Sequence, residues 1–257
     1  MSAISPTEPA SQLLLEALDL CQQFGDQRIL NGLSFQVMPG EALCLLGHNG
    51  VGKTTALNHF LGFLRPLSGQ VRVAGMDPLT QPSEVRAAVG YVPENASLYP
   101  HLDALENIDY FLAAAGLPRP ELSAVQASLQ SVGFPLASAQ LRAGGYSKGM
   151  RQKVVLALAL VKGARVLLLD EPTTGLDPQS AEELATRISE LKAKGVAILA
   201  VTHDLLWAQQ VADYLGIMHG GRLEELLGNA DLQPHQLADR LFSIARTPVN
   251  TDAVARP

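Results

Sequence analysis

Apolar residues in this chain arrive in short bursts, punctuated by glycine, proline and charge. Residues 13–20 and 33–37 read as strands, and Pro39-Gly40 as the turn that follows. Ala42–Leu46 is an uninterrupted apolar run that stops at Gly47, which suits a strand buried on both faces. Residues 53–64 then read as a helix. Ser68-Gly69 turns the chain into a strand over 70–74, and Val89–Val92 is a further apolar burst.

From about residue 99 the period changes. Leu102, Leu105, Ile108, Phe111 and Leu112 recur at helical spacing, as do Leu122, Val125 and Leu129. This predicts a helical insert over about 95–162. Strand patterns return at 166–169, 196–201 and 214–218, with helices expected at 179–194 and 205–212 between them. Strands alternating with helices predict an α/β fold, a mainly parallel sheet covered by helices on both faces. A last helix is expected over 234–244. Residues 1–12 and the tail 246–257 are expected to be disordered.

Two segments carry chemistry. Gly47-His48-Asn49-Gly50-Val51-Gly52-Lys53-Thr54-Thr55 fits G-x-x-x-x-G-K-[ST], after a predicted strand and at the start of a predicted helix. Glycines let the backbone fold tightly and aim N–H groups at phosphate oxygens. The helix start adds partial positive charge. Lys53 reaches the β- and γ-phosphates of a nucleotide, and the Thr54 hydroxyl serves Mg²⁺. The second segment is a strand of four apolar residues, 166–169, ending in Asp170-Glu171. A strand that stops there puts its carboxylates at the sheet edge where ligands sit. Asp170 is expected to hold Mg²⁺ through water, and Glu171 to polarise an attacking water.

Composition narrows the classes. The chain has 257 residues, 47% of them hydrophobic, with a net charge of −6. That is enough for one domain with a subdomain, and it argues against a general grip on nucleic acid. Cys21 and Cys44 lack ligand spacing, so reduced thiols are the expectation. No apolar run approaches the roughly 18–20 residues of a spanning helix. The start of the sequence lacks the pattern of a signal peptide. A cytoplasmic protein is expected, with any membrane role carried by a partner.

Four more motifs follow in fixed order: Phe24-Gly25-Asp26, Tyr146-Ser147-Lys148-Gly149-Met150-Arg151-Gln152, Thr174-Gly175-Leu176-Asp177 and Thr202-His203-Asp204. With the phosphate loop, the chain resembles the ATP-binding cassette (ABC) ATPases over about 13–225. The resemblance implies a P-loop NTPase fold with an antiparallel β-subdomain and the helical insert, an ATPase domain over 13–228, and ATP with Mg²⁺ as ligands. It implies that Phe24 stacks on adenine and that His203 touches the γ-phosphate. Ser147 and Gly149 would contact the γ-phosphate of ATP held by a second ATPase subunit, a homodimer mate or a paralogue. Asp177 would help the two subunits communicate. Glu94, in Tyr91-Val92-Pro93-Glu94-Asn95, stands where the family commonly has glutamine, as a contact to Mg²⁺ and water.

The family signature usually reads Leu-Ser-Gly-Gly-Gln, so Tyr146, Lys148 and Met150 depart from it. Lys148 either adds charge near an anion or points to solvent. These departures are similar to ATPase subunits of the ABC-2 type, which mostly serve exporters. The implied function is an ATPase that powers transport, mainly export, through a separate integral membrane permease, with the chain peripheral on the inner face of the cell membrane. Leu98 and Tyr99 are candidate docking residues for that permease. A soluble ABC-type ATPase of DNA repair or translation is the alternative. A phosphate-loop kinase or GTPase is disfavoured by the motifs at Ser147 and His203.

Overall fold

The computed structural model describes residues 13–230 and 232–246. The two terminal segments expected to be disordered lie outside the described residues, Arg246 excepted. The strands are β1 (Leu15–Phe24), β2 (Gln27–Val37), β3 (Ala42–Leu46), β4 (Ser68–Val73), β5 (Val89–Val92), β6 (Val166–Asp170), β7 (Ala197–Thr202), β8 (Tyr214–His219) and β9 (Arg222–Gly228). The α-helices are α1 (Lys53–Phe60), α2 (Pro82–Ala88), α3 (Ala104–Ala114), α4 (Leu122–Ser131), α5 (Lys148–Val161), α6 (Pro178–Ala193), α7 (Leu205–Val211) and α8 (Pro234–Ala245).

The strands form two sheets, a three-stranded antiparallel one in the order β2-β1-β4 and a six-stranded one in the order β5-β6-β7-β3-β8-β9. In the larger sheet every pairing is parallel except β8 with β9. All five residues of β3 are buried, yet they serve two cores. Ala42, Cys44 and Leu46 face one core with Leu169, Ala200, Leu156, Ile188 and Trp207. Leu43 and Leu45 face the other with Leu57, Phe60, Leu33 and Val73. Side chains alternate across a strand, so a central strand needs apolar residues at every position to fill both layers. Full burial of each Leu or Phe contributes about 1.5–3 kcal/mol.

Parallel pairing places four strand ends along one edge. Leu46 is opposite Thr202, Asp170 opposite Val201, and Val92 opposite Leu169. The phosphate loop, Glu171, His203 and Glu94 therefore leave the sheet side by side.

The structure departs from the sequence reading at several elements. β2 begins at Gln27 rather than at residue 33, and β4 begins at Ser68, inside the expected turn. β9 and α2 carry no prediction. Residues 95–103 are not helical; α3 begins only at Ala104, after a capping box in which Asp103 accepts from Glu106 N and Glu106 accepts from Asp103 N. Leu102 precedes that helix, and buried Asn107 holds the segment by bonding the N–H and C=O of Tyr99.

Candidate functional site

A cleft of about 620 Å³ opens at the shared strand edge, lined by Phe24, Ile29, Asn49, Gly50, Gly52, Lys53, Thr54, Thr55, Glu94, Glu171, Thr174 and His203. The phosphate loop forms one wall. Gly52, the residue before α1, has φ of +109°, and a Cβ there would meet Leu30 Cδ2 at 2.7 Å and Ile29 O at 2.9 Å. At Gly47 a Cβ would meet Met218 O at 2.8 Å. Both glycines are thus required by the chain's own backbone. Val51 turns inward to the core, and His48 sits edge-on to His219, with ring centroids 6.1 Å apart. Their side chains do not line the cleft, nor does Gly47.

Lys53 is buried and donates to Gly47 O at 2.6 Å, with His48 O at 3.3 Å and Glu171 Oε1 at 3.9 Å. Burial pushes its ammonium below the usual lysine range, against the opposing pull of Glu171 and Asp170. Asp170 is pushed up, first by burial and then by the charges of Glu171 and Glu94; the hydrogen bond from Thr54 opposes this. That bond runs from Thr54 Oγ1 to Asp170 Oδ1 at 3.0 Å, and Tyr91 OH lies 3.5 Å from Asp170 Oδ2. Both key charges are therefore held in surroundings that disfavour them, a cost that a charged ligand would relieve.

Glu171 is one of three non-glycine residues with positive φ among those described, at +45°. Its Oε2 lies 2.8 Å from His203 Nδ1 and also accepts from His203 N at 3.3 Å. The left-handed turn after β6 aims this carboxylate across to the end of β7. Phe24, at the end of β1, is 49% exposed on the rim of the cleft.

The residues of the signature segment lie elsewhere. Ser147 caps α5, its Oγ accepting from Met150 N at 3.2 Å, the ordinary structural use of a serine at that position. Tyr146 is buried, its hydroxyl donating to Leu141 O and Ser138 O. Lys148 does not point to solvent; it donates to Thr174 O. Asp177 caps α6 by accepting from Ser180 N at 2.9 Å and from Ser180 Oγ at 2.7 Å. None of Ser147, Gly149 and Asp177 lines the cleft of its own chain.

Four participants escape the sequence reading. Ile29 and Thr174 line the cleft, Tyr91 reaches Asp170, and Gln152 donates to Pro172 O at 2.7 Å from a buried position. Tyr91, Gln152 and Thr174 lie inside quoted motifs, which is the available signal; Ile29 has none.

Could Mg²⁺ fit? The Thr54 hydroxyl and the Asp170 carboxylate converge as oxygen donors, the set a hard divalent cation takes, and Glu94 faces the same space. The donors fit.

Residues 30–174 match the family model described as ABC transporter. The chain is 33% identical over 224 residues to the Nod factor export ATP-binding protein I of Rhizobium etli, covering 87% of this chain and 69% of that protein. Among solved structures it is similar to one described as an ATP binding subunit of an ABC transporter, with TM-score 0.78, 30% identity and coverage of 89% of this chain and 99% of that one. It is also similar to cbiO1 from Clostridium perfringens, part of the ABC transporter complex cbiONQ, with TM-score 0.76, 26% identity and coverage of 90% and 93%. Among the described residues no helix is long and apolar enough to cross a membrane.

Proposed function

The chain belongs to the ABC transporter family as an ATP-binding, ATP-hydrolysing subunit that powers transport, and from that premise we propose that it drives export through a separate membrane-spanning permease, with its own residues in the following roles. The cleft that gathers Lys53, Thr54, Glu171 and His203 beside Asp170 carries the proposal. Residues 13–228 are the ATPase unit, with 95–162 as its insert.

ATP enters with its adenine against Phe24 and its phosphates over the loop of residues 47–55. Lys53 exchanges the carbonyls of Gly47 and His48 for β- and γ-phosphate oxygens, a stronger charge-assisted pairing. Thr54 and Asp170 would hold Mg²⁺, with Glu94 beside them, and the ion would supply charge neutralisation on the phosphates. Glu171 orients the attacking water and accepts its proton. His203 keeps Glu171 aimed through the 2.8 Å contact and presents its other ring nitrogen toward the γ-phosphate. As negative charge builds on the transferring phosphoryl group, fixed donors around it lower the barrier.

The nucleotide is closed over by a second ATPase subunit, whose Ser147 and Gly149 meet the γ-phosphate. Gly149 supports this reading. Its φ is not positive, and a Cβ there would meet Ser180 Oγ at 3.5 Å and Leu176 at 3.7 Å, ordinary contacts. The chain's own packing gives no reason for glycine at 149, whereas close approach of a phosphate does. The Ser147 hydroxyl accepts from Met150 N, which leaves its proton to donate.

The permease helix docks beside Leu98 and Tyr99. Tyr99 and Tyr110 join hydroxyls at 2.9 Å and stack edge-on in an exposed aromatic surface. Inner-face membrane association follows from that docking. The decisive test is size-exclusion chromatography of Glu171→Gln with and without Mg-ATP. ATP-dependent dimers are expected, and a chain that stays monomeric at saturating ATP overturns the shared site.

A further inference from the structure

Helix α5 grips the loop after Glu171 at two points. Lys148 and Gln152 are four residues apart, so they share one face of the helix. Their side chains donate to carbonyls two residues apart on that loop, Gln152 Nε2 to Pro172 O at 2.7 Å and Lys148 Nζ to Thr174 O. The two ends of this grip differ. Gln152 is buried, while Lys148 is half-buried and lies over Gly175, where a Cβ would meet its Nζ at 3.6 Å. On the far side the loop is held by Thr173 Oγ1, which donates to Asp204 Oδ2 at 3.1 Å.

The charge of Lys148 has no local reason to be there. A cation in the first turn of a helix opposes the helix dipole. Among the described residues no carboxylate lies within ion-pair distance of it. What the ammonium does have is Thr174, a residue whose other side lines the nucleotide cleft. Glu171, three residues earlier in the same loop, carries the carboxylate that faces His203. The loop also bonds to itself, Thr174 N to Glu171 O at 3.2 Å and Leu176 N to Thr173 O at 3.0 Å, so its turns move together.

We propose that Lys148 is a positioning residue: its ammonium pins the Thr174 carbonyl, and so ties the start of α5 to the loop that carries Glu171. The step from tether to catalysis rests on Glu171 acting as proposed above. The tether itself does not depend on a second subunit.

The test uses the full chain, as wild type, Lys148→Met and Lys148→Arg. Hydrogen exchange is followed in the nucleotide-free protein at the amides of Thr174 and Leu176. Steady-state ATP hydrolysis gives kcat and KM. Lys148→Met should speed exchange at those two amides, lower kcat about tenfold and leave KM nearly unchanged, because the loop is misplaced while the phosphate loop is intact. Lys148→Arg keeps the charge and should restore both readouts. Unchanged exchange in Lys148→Met overturns the tether. So does faster exchange with wild-type kcat, or equal loss in the Met and Arg variants, which would mean packing alone. Should Lys148→Met fold poorly, Lys148→Gln takes its place under the same criteria. A Glu171→Gln chain that fails to dimerise with ATP would sink the shared site and leave the exchange result standing.

Discussion

The two glycine-bearing corners of this chain obey different logics. At the phosphate loop, Gly47 and Gly52 are dictated from within: a methyl group at either would collide with backbone. The neighbouring charges are also answered from within, Lys53 by two carbonyls and Asp170 by Thr54. At the start of α5, Gly149 has room for a methyl group and Ser147 already has its cap bond. One corner is explained by the chain that contains it. The other has a residue, Gly149, that the chain's own packing does not require, and on the function proposed here a second subunit's nucleotide requires it. A residue needed for folding and a residue needed for a partner can thus be told apart by asking what its replacement would touch.

The sharpest way to break this contrast is in the cleft. Glu171→Gln removes the proton acceptor while keeping the shape. Hydrolysis should fall by about 10²–10⁴-fold, the span that general base catalysis supplies, with ATP binding retained. A phosphate-release assay beside an equilibrium binding titration reads both. Near-normal turnover would remove Glu171 from its role. Next in size is Gly52→Ala. A left-handed φ of +109° and a 2.9 Å contact with Ile29 O both resist a methyl group. About 1–3 kcal/mol of stability should be lost, measured by denaturant titration, together with ATP affinity. A variant as stable as wild type would mean that the loop relaxes freely, and the first half of the contrast would go.

Legibility followed the same division. The bursts at β3, β6 and β7 stood out because central strands are apolar at every position, and the phosphate loop and Asp170-Glu171 follow directly from where they end. β9 is hard to read because it is an edge strand: Leu223 and Leu227 face inward, but Glu225 between them and exposed Leu226 blur the alternation. In α2 only Val85 is buried, and one residue sets no period. The start of β2 hides for another reason. Arg28 and Asn31 sit within it, and Gly32 at φ of +81° reads as a break. Leu102 had the right spacing for α3 but lies before its cap, where Asn107 rather than periodicity fixes the chain. The sequence leaves Lys148 open between an anion and solvent, because its partner, a carbonyl from a loop 26 residues away, is long-range and leaves no local trace.

A smaller effect is expected at Ser147. Ser147→Ala should cost about 1 kcal/mol of stability through the lost cap. On the shared-site reading it should also raise the ATP concentration needed to dimerise the Glu171→Gln chain. If stability falls but dimerisation does not change, the serine is a cap and nothing more.

The smallest change in stability is the most informative. Gly149→Ala places a methyl group in ordinary contact with Ser180 and Leu176, in a helical turn where alanine is the better residue. The fold should gain, by no more than about 1 kcal/mol. ATP binding to the isolated chain should be untouched, since Gly149 does not line the cleft. Yet ATP-driven dimerisation of the Glu171→Gln chain should be lost, because the methyl group stands where the partner's phosphate must approach. A stabilised protein that no longer pairs is an outcome that misfolding cannot imitate. A stabilised protein that pairs as before would leave Gly149 without a reason on either side of the interface, and the contrast between the two corners would not hold.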